Sequence, residues 1–531
     1  MSDGAGRASE TAAHVVADQG EVADFLEDPA SYGPGVGEVV RFDTHGAMVF
    51  LAGARAYKIK RAVRFPYMDF STLALRRAAC EKELRLNRRT APALYLETRP
   101  VLRRPDGGLS FEGPGEPVEW TLVMRRFEQD GLFDKLAEAG RLTPELMTAL
   151  TDAVVAFHAE AERLDATRSS GGGEAGLRYA AEETLEEFAE RPDLFPEAEV
   201  AALNARLQEA LARRGGLLDA RLAQGFVRHC HGDLHLRNIC LIEGRPTLFD
   251  CIEFNDDFAG IDVLYDLAYL LMDLEHRGLR PLANRVLNRY FQAGEDLDGL
   301  ATLPLFLATR ALVRAKVTAS AEASQASAAA RTQLREAARA YFLAGRRYLA
   351  PPVPRLVAVG GLSGSGKTTL ARLLAPRIGA APGALHLRSD VIRKQLCGVA
   401  ELEPLPQAAY AEAVGARVYE EIAARARAAL EAGQAVIADA VYAAPAERRA
   451  IEDLAQRLKL RFDGLWLEAP PETLIARVEG RQGDASDADA AVVQRQLAFD
   501  TGGPDWPHLV ADAPPEALAR SAAARLRIAE A

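Results

Sequence analysis

One stretch of the sequence has the residue types that hold a phosphate chain. Residues 361–368 read Gly-Leu-Ser-Gly-Ser-Gly-Lys-Thr and fit the pattern G-x-x-x-x-G-K-[ST]. Glycines let backbone N–H groups curl around phosphate oxygens, and a helix that begins there adds a favourable dipole. Lys367 would reach the β- and γ-phosphates of a nucleotide, and the Thr368 hydroxyl would bind Mg²⁺. The pattern predicts a nucleotide-binding loop; the alternative is a Gly/Ser-rich connector that contains a lysine.

The sequence on either side of this loop supports that prediction. An apolar run, 356–360, predicts a buried strand before it, and a helical pattern, 369–375, follows it. About 355 residues precede the loop, which is too long for a lead-in to a first strand, so a separate domain is expected to begin near Pro351. The predicted nucleotide-binding residues here are Gly361, Ser363, Gly364, Ser365, Gly366, Lys367, Thr368 and Thr369.

A second stretch carries another set of phosphoryl-transfer residues. Residues 231–238 read His-Gly-Asp-Leu-His-Leu-Arg-Asn, and 248–254 read Leu-Phe-Asp-Cys-Ile-Glu-Phe. Asp233 and Asn238 lie on one loop, and a short hairpin would bring Asp250 back beside them. One carboxylate could then accept a hydroxyl proton while the asparagine and the other carboxylate hold Mg²⁺ on ATP phosphates. Each residue alone could be a turn or cap residue; the set favours catalysis.

The elements that must position the second stretch begin with a strand-rich region. Period-2 patterns and turn residues predict five strands, at 38–42, 47–51, 56–60, 94–102 and 120–124. A helix is predicted over 72–89, after a short one over 22–26. This is a small, mostly antiparallel sheet with one inserted helix. Lys58 and Lys60 are two residues apart and therefore share one face of the third strand.

Helical periodicity then dominates, over 142–221 and from Ile261 to about Leu349. The alanine-rich stretch 311–335 is expected to be one packed helix. Beyond Pro351, strands and helices alternate, which predicts a parallel sheet. Its expected strands after the phosphate loop are 384–390, 435–442, 464–468 and 508–512.

Three features of this C-terminal part are candidates for chemistry. Asp390 and Asp439 come at the predicted carboxyl ends of strands, where ligands of such sheets bind; structural caps are the alternative. Arg477 and Arg481 are four residues apart, so a helix would turn them the same way. A Gly/Asp/Ser loop follows them, and the alternative is a solvated, charged helix.

Residues 38–300 resemble the aminoglycoside phosphotransferase family, with its kinase-like two-lobe fold, through HGDLHLRN and FDCIEF. The resemblance implies Asp233 as catalytic base and Asn238 and Asp250 as Mg²⁺ ligands. It also implies Lys58 as the phosphate-binding lysine, with Lys60 as alternative. Its remaining assignments are a helix partner of that lysine and an adenine-contacting hinge, at Glu83 and Met124. In place of a glycine-rich G-x-G-x-x-G loop between the first two strands the sequence has only 43–46, Asp-Thr-His-Gly.

The domain 353–531 is similar to P-loop kinases that include zeta toxins, gluconate kinase and the kinase half of polynucleotide kinases. The likeness implies Asp390 as base on the acceptor hydroxyl, Arg393 as a substrate contact and Arg448 as a site-facing residue. It implies Asp439 as a second Mg²⁺ ligand beside Thr368. Arg477 and Arg481 would belong to a mobile lid that stabilises charge on the transferred phosphoryl group. The whole chain resembles bacterial fusion proteins described as bifunctional aminoglycoside phosphotransferase/ATP-binding proteins.

We therefore expect an α+β protein-kinase-like two-lobe domain over 21–350, with lobes at about 36–127 and 128–350. An α/β P-loop kinase domain with a parallel sheet is expected over 351–531, and the first 20 residues are expected to be disordered. Each domain would use ATP and Mg²⁺ to phosphorylate a hydroxyl of a small molecule. The alternative is that one domain is a nucleotide-binding regulatory module.

Composition narrows the setting of these domains. No apolar run is long enough to span a membrane, and the N-terminus lacks a signal-peptide pattern. The five cysteines have no disulfide-framework spacing, which favours a soluble cytoplasmic protein with reduced thiols. The cluster His229, Cys230, His231 and His235 matches no usual zinc spacing, and the cysteines at 230, 240 and 251 are expected to be buried apolar residues.

The net charge of −11 predicts that the protein does not bind duplex DNA near physiological salt. Phosphate neutralisation needs a basic surface, and no stretch of the sequence interleaves aromatic and basic residues. A fluorescence anisotropy titration with a labelled duplex checks this. Salt-sensitive binding at sub-micromolar concentration would contradict it.

Overall fold

The computed structural model describes residues 14–65, 67–322, 325, 327–481, 483–503 and 505–528. The first 13 residues of the predicted disordered N-terminus lie outside these ranges. The chain divides into two compact units. The first comprises the chain up to Arg277 together with Leu305–Arg346; the second comprises Gly278–Pro304 and the chain from Arg347 onward. The second unit therefore includes a segment that lies between the two parts of the first unit in sequence. The predicted domain boundary between residues 350 and 351 stays a prediction.

The first unit begins with the predicted sheet. After helix α1 (Gly20–Glu27), its strands are β1 (Val39–Asp43), β2 (Ala47–Ala52), β3 (Arg55–Lys60), β6 (Tyr95–Arg103), β7 (Leu109–Ser110) and β8 (Glu116–Arg125). The order is β1-β2-β3-β8-β6-β7, with every neighbouring pair antiparallel. A two-residue pair, β4 (Arg64–Phe65) and β5 (Met68–Asp69), precedes helix α2 (Leu73–Asn87). The five predicted strands and the inserted helix are confirmed.

Local chemistry explains where these elements start and stop. Gly53, between β2 and β3, has φ +56°, a left-handed conformation that glycine adopts without strain. The Thr72 hydroxyl accepts a hydrogen bond from the Leu75 amide at 3.3 Å and so caps α2. Alternate residues of the sheet face a core that includes Phe50 and Ile59, both fully buried. Burial of this apolar face fixes the strand register.

The rest of the first unit is mainly helical. Its helices are α3 (Phe133–Glu138), α4 (Pro144–Glu160), α5 (Gly173–Ala189), α6 (Glu197–Ala223), α7 (Asp256–Ala259), α8 (Val263–His276), α10 (Leu303–Ser320) and α11 (Ala328–Tyr348). Its short strands are β9 (Val227–His229), β10 (Ile239–Ile242), β11 (Arg245–Leu248) and β12 (Gly260–Asp262), with β10 and β11 forming the expected hairpin.

Two sequence predictions are wrong in this region. Ile261 does not begin a helix; it lies in β12, which pairs antiparallel with β9. The stretch 311–335 is not one helix, because α10 ends at Ser320 and α11 begins at Ala328. The Ser327 hydroxyl accepts a hydrogen bond from the Ala330 amide at 3.4 Å, and a serine that caps a new helix interrupts the alanine-rich pattern.

The second unit contains the predicted parallel sheet. Its strands are β13 (Arg355–Gly361), β14 (Leu385–Arg388), β15 (Val436–Asp439), β16 (Arg461–Glu468) and β17 (His508–Val510), in the order β14-β15-β13-β16-β17. All four pairings are parallel. Its helices are α9 (Arg280–Tyr290), α12 (Lys367–Leu374), α13 (Ser389–Leu396), α14 (Glu412–Glu431), α15 (Pro445–Arg457), α16 (Pro471–Glu479), α17 (Ala490–Leu497) and α18 (Pro515–Arg525).

Two placements in the second unit differ from the prediction. Asp390 is not at the end of a strand: β14 ends at Arg388, and Asp390 lies in the first turn of α13. Arg481 does not share a helix with Arg477, because α16 ends at Glu479 and Gly480 takes the cap position. The one-turn spacing was therefore no guide to how these two arginines are placed.

All five cysteines are free, and Cys230, Cys240 and Cys251 are buried as predicted. Among the described residues, no helix combines the length and the apolar character needed to cross a bilayer.

The pair Arg221–Asp262 offers a test of the first unit's core. Both are buried, with Nε to Oδ2 at 2.7 Å and Nη2 to Oδ1 at 2.9 Å. Arg221→Met keeps the apolar stem but leaves the buried Asp262 carboxylate without its cation. The free energy of unfolding should therefore fall by about 3–5 kcal/mol. Urea unfolding of the full chain, fitted to two transitions, measures this. Arg213→Met, in an exposed pair on the same helix, should change it little; equal losses would contradict the assignment.

Candidate active sites

The loop 231–238 of the first unit is fastened to helix α8 by two buried carboxylates. Asp266 accepts hydrogen bonds from the backbone amides of His231 at 3.1 Å and Gly232 at 2.9 Å. Asp273 accepts one from the Leu236 amide at 3.0 Å. Sequence reasoning missed both acids. Their signal is their spacing: the two acids are seven residues apart in a stretch, 263–274, that is otherwise apolar or aromatic, so they lie on one face and need buried donors.

Within this loop Asp233 has close polar neighbours. The Asn238 amide donates to the Asp233 carboxylate at 2.8 Å, and His235 Nε2 lies 3.2 Å from the same oxygen. Burial would raise the pKa of Asp233, but His235, Arg314 and His231 outweigh it and hold that pKa below its usual value. The carboxylate is therefore ionised at neutral pH and can accept a hydrogen bond from a substrate hydroxyl.

A network of charged side chains, buried at Glu83, Lys60 and Glu253, joins the strand lysines to the end of the hairpin. Glu83 accepts hydrogen bonds from Lys58 at 2.8 Å and from Lys60 at 2.5 Å. Lys58 also donates to Asp250 at 2.8 Å, whereas Lys60 pairs with Glu253. Burial would raise the pKa of Glu83, but the two lysines lower it to about 2. Of these two lysines, only Lys58 contacts the predicted metal ligand.

Burial would also lower the pKa of Lys58, yet Asp250 and Glu83 outweigh it and hold that pKa well above its usual value. Lys58 therefore stays cationic. Its partner Asp250 has a left-handed backbone, φ +62°, and a carboxylate that is 43% exposed. The Asp250 amide donates to the Tyr95 hydroxyl at 3.1 Å, which helps to hold this unusual turn.

Asn238 and Asp250 are brought together by the backbone. The Phe249 amide donates to the Asn238 carbonyl at 3.0 Å, so the residue before Asp250 is fastened to Asn238. An amide oxygen and a carboxylate are oxygen ligands of the type Mg²⁺ prefers. The donor set therefore fits the predicted metal.

The predicted hinge residue Met124 lies in β8 and is buried. It belongs to an apolar cluster with Leu51, Tyr95 and Cys240, against which Phe249 packs. Strands β1 and β2 are joined by three residues, 44–46, which leaves little backbone to cover a phosphate chain. The cluster is apolar enough for the flat face of a base, and its role stays a prediction.

In the second unit the phosphate loop joins β13 to α12. Gly364 has φ +84°, and a Cβ there would lie 2.4 Å from the Leu474 carbonyl oxygen, so a larger residue cannot take this place. Lys367 Nζ donates to the Leu362 carbonyl at 2.9 Å across the loop. The Ser365 hydroxyl is buried and has no hydrogen-bond partner among the described residues. The remaining predicted contacts, Ser363, Gly361, Gly366, Thr368 and Thr369, lie in the loop or the first turn of α12.

Asp439 ends β15 and has a histidine beside it. His386 Nε2 lies 2.6 Å from Asp439 Oδ2. Burial would raise the pKa of Asp439, but His386, Arg388 and Lys367 outweigh it, so the pKa is lowered and the carboxylate stays ionised. Together with the Thr368 hydroxyl it gives hard oxygen donors, which fit Mg²⁺.

Helices α16 and α17 contact the phosphate loop. Arg477 donates to the Gly364 carbonyl at 3.4 Å and to the Ala511 carbonyl at 2.7 Å. Gln496, which sequence reasoning missed, accepts a hydrogen bond from the Ser363 amide at 2.7 Å. The predicted lid is therefore adjacent to the loop. Arg481 is not on α16, and its role in the lid stays a prediction.

The loop after α16 is fastened to the end of β14 and to helix α13. Asp484 accepts two hydrogen bonds from Arg388, at 3.0 and 3.1 Å. Asp487 accepts hydrogen bonds from Lys394 at 3.0 Å and from the Tyr410 hydroxyl at 2.8 Å. These two acids lie in the Gly/Asp/Ser loop of the sequence. The sequence pattern predicted the loop but not the side chains that these acids bind.

The predicted substrate contacts are held by backbone carbonyls. Arg393 donates to the Ala409 carbonyl at 3.0 Å, and its guanidinium lies 5.2 Å from the centre of the Tyr410 ring. Arg448 is buried and donates to three carbonyls: those of Tyr442, Ala443 and Thr501, at 2.8, 2.8 and 2.7 Å. Both arginines have evident structural partners, and their contact with a substrate stays a prediction.

Two family models match this chain. The phosphotransferase enzyme family matches residues 72–303, and a model described as AAA domain matches residues 356–500. An uncharacterized protein of Mycobacterium tuberculosis, Rv2004c, is 32% identical over 470 residues, covering 87% of this chain and 90% of that protein. An uncharacterized protein of Mycobacterium bovis is similar to the same extent, 32% over 470 residues with 87% and 90% covered.

Solved structures resemble the chain in parts. A choline/ethanolamine kinase family protein from Mesorhizobium loti is 15% identical and covers 62% of this chain and 98% of its own, with a TM-score of 0.36. A sugar kinase from a Janibacter species is 26% identical and covers 33% and 96%, with a TM-score of 0.25. A gluconokinase from Sinorhizobium meliloti is 21% identical and covers 33% and 93%, with a TM-score of 0.24.

The mycobacterial relatives exceed 30% identity along most of both chains, and the two family models divide the sequence between them. Both models correspond to kinase families, and their matches agree with the mixed first unit and the parallel sheet of the second. The chain therefore belongs to the same family as these mycobacterial proteins, and it is a fusion of a phosphotransferase domain with a P-loop kinase domain.

Proposed function

We propose that both domains are catalysts, each transferring the γ-phosphoryl group of ATP to a hydroxyl of a small molecule. The observation that carries the proposal is the arrangement in the first unit. An ionised Asp233 is bonded to Asn238, and Asn238 is fastened beside Asp250, which pairs with Lys58. A proton acceptor, two candidate oxygen ligands and a cation in one site would meet the requirements of phosphoryl transfer, which supports the proposal.

In the first domain, Asp233 accepts the proton of the attacking hydroxyl, and the loop bonds to Asp266 and Asp273 keep it in place. Asn238 and Asp250 would hold Mg²⁺, which supplies neutralisation of the phosphate charge when it is bound. Lys58, oriented by Glu83, offers its cation where the phosphates would lie. Lys60 is directed to Glu253 and serves the packing of this charge network. Met124 and the apolar cluster around it would receive the adenine ring.

In the second domain, the amides of 361–368 would surround the phosphates, with Lys367 as the cation among them. Thr368 and Asp439 would hold Mg²⁺. Asp390 acts as base on the acceptor hydroxyl. It lies in the first turn of α13, so its carboxylate is near the positive end of a helix.

The lid completes the second site in this proposal. Arg477 and Arg481 would stabilise charge on the transferred group, and Arg477 already contacts the loop through the Gly364 carbonyl. Arg393 and Arg448 would border the acceptor. The acceptors themselves are small hydroxyl compounds of the cytoplasm; a fold does not name them, so a metabolite extract with labelled ATP is the direct way to find them.

Asp233→Asn should abolish transfer by the first domain, with a loss of about a hundredfold or more in turnover, while ATP binding persists. The amide keeps the shape but cannot take the proton. The measurement is label transfer from ATP to extract metabolites, made in a Lys367→Ala background to silence the second domain. Asp24→Asn, an exposed acid of α1, is the matched control and should be inert. Unchanged transfer by Asp233→Asn would remove Asp233 from the mechanism.

Wild type should bind two molecules of a non-hydrolysable ATP analogue per chain in the presence of Mg²⁺. Lys367→Ala removes the cation of the phosphate loop and should empty only the second site. Asp250→Ala removes a metal ligand and should empty only the first. Calorimetric titration of the three proteins gives the stoichiometry of each.

The pattern of losses separates the two readings of the chain. A fall from two sites to one in each variant supports independent catalytic modules. If either change empties both sites, the domains are coupled, which favours the alternative that one of them is a nucleotide-binding regulatory module. A single site in wild type would refute one of the two kinase assignments.

A further inference from the structure

Helix α9 belongs to one domain by sequence and to the other by packing. The phosphotransferase match extends to residue 303 and so includes α9, Arg280–Tyr290. In the structure, however, the segment Gly278–Pro304 is part of the second compact unit. There α9 lies against β14, the edge strand of the parallel sheet. A helix from the first family's stretch therefore completes the P-loop unit.

Two asparagines of α9 take the place of a neighbouring strand. Asn284 donates to the Ala384 carbonyl at 3.0 Å. The side-chain oxygen of Asn288, Oδ1, accepts a hydrogen bond from the His386 backbone amide at 2.5 Å. The side-chain NH₂ group of Asn288 donates to Asn284 Oδ1 at 3.0 Å. Edge strands carry backbone groups that need partners, and side-chain amides supply both a donor and an acceptor. These bonds fix the position of His386.

From His386 the contacts lead to the catalytic centre. The imidazole of His386 lies 2.6 Å from Asp439, the proposed metal ligand. A second path begins at Arg289 and Gln292, which donate to Glu401 at 3.0 and 2.9 Å. Glu401 lies 3.6 Å from Arg388, the residue that fastens the loop after the lid helix through Asp484.

We propose that α9 is a positioning element of the P-loop catalytic centre, and that Asn288 is a positioning residue for Asp439. The Asn288 side-chain oxygen holds the His386 backbone, and the His386 imidazole in turn holds the Asp439 carboxylate. This rests on the proposed function of the second domain, in which Asp439 holds Mg²⁺. Groups that orient a metal ligand typically contribute 10–100-fold to metal affinity.

The test is calorimetric titration of the full chain with the ATP analogue, with and without Mg²⁺, in an Asp250→Ala background that leaves the second site to be observed. The quantity of interest is the factor by which Mg²⁺ strengthens nucleotide binding. Asn288→Ala should reduce that factor about tenfold or more. The affinity for the ATP analogue without Mg²⁺ should stay within about twofold of the parent's value, because Asn288→Ala leaves the phosphate loop unchanged. Asn288→Asp keeps the acceptor oxygen and should retain most of the factor.

The matched control is Arg280→Met on the same helix. It removes bonds to the carbonyls of Pro376 at 2.6 Å and Gly379 at 3.4 Å, and so loosens α9 away from His386. Thermal unfolding shows whether both variants are destabilised alike. If Arg280→Met and Asn288→Ala reduce the Mg²⁺ factor equally, or if neither does, α9 has only a structural role and the proposal is overturned.

Two further outcomes are distinguishable. If the Asp250→Ala parent binds no nucleotide with or without Mg²⁺, the proposed function of the second domain fails, and with it the ground of this inference. If Asn288→Ala gives no folded protein, Asn288→Thr, whose hydroxyl is too short to reach the His386 amide, replaces it and is judged by the same factor. An unchanged factor in that variant would contradict the proposal.

Discussion

Compensation of buried charge is the constraint on which both sites depend. Removing an ion from water costs several kcal/mol unless an opposite charge and hydrogen bonds replace the lost hydration. In the first unit the buried Glu83 is shared by Lys58, which is partly buried, and Lys60, which is buried, and each lysine has a second carboxylate partner. In the second, Asp439 is buried against His386. These groups can be rigid without ligand because their charges are already matched.

The same constraint explains how the loop 231–238 of the first unit is held in place. The loop around Asp233 is irregular, and its backbone amides are buried, so they need acceptors that no strand provides. Asp266 and Asp273 supply them from α8, a helix that is buried along nearly its whole length. A charged acceptor makes a stronger bond than a neutral one. The geometry of the candidate site in the first unit is thus set by a helix that carries none of the proposed catalytic residues.

The chain passes from the first compact unit to the second directly after helix α8. Only residues 277–279 separate α8, in the first unit, from α9, in the second. Helix α8 fastens the loop 231–238, and helix α9 covers the edge strand of the sheet in the second unit. The domains are consecutive in their sequence matches, but their compact units interleave along the chain. A division of the chain at residue 350 would separate α9 from the sheet that it covers.

Several features followed from the sequence alone. The phosphate loop, the HGDLHLRN stretch and the alternation of strands are local patterns, since each depends on consecutive residues whose backbone conformation they themselves determine. The five N-terminal strands, the hairpin and the parallel sheet were predicted for this reason. Helix ends were less certain: Ser327 began a new helix inside an alanine-rich run, and Gly480 ended α16 before Arg481.

Only the tertiary structure decided which side chains meet. The sequence placed Lys58 and Lys60 on one face, but the choice between them depends on Asp250, which approaches from a hairpin nearly two hundred residues later. Asp266, Gln496 and Asn288 are ordinary helix residues until the partner backbone is known. Contacts of this kind join distant segments, and no local spacing encodes them, because which backbone amides lack a partner is settled only when the whole core has packed.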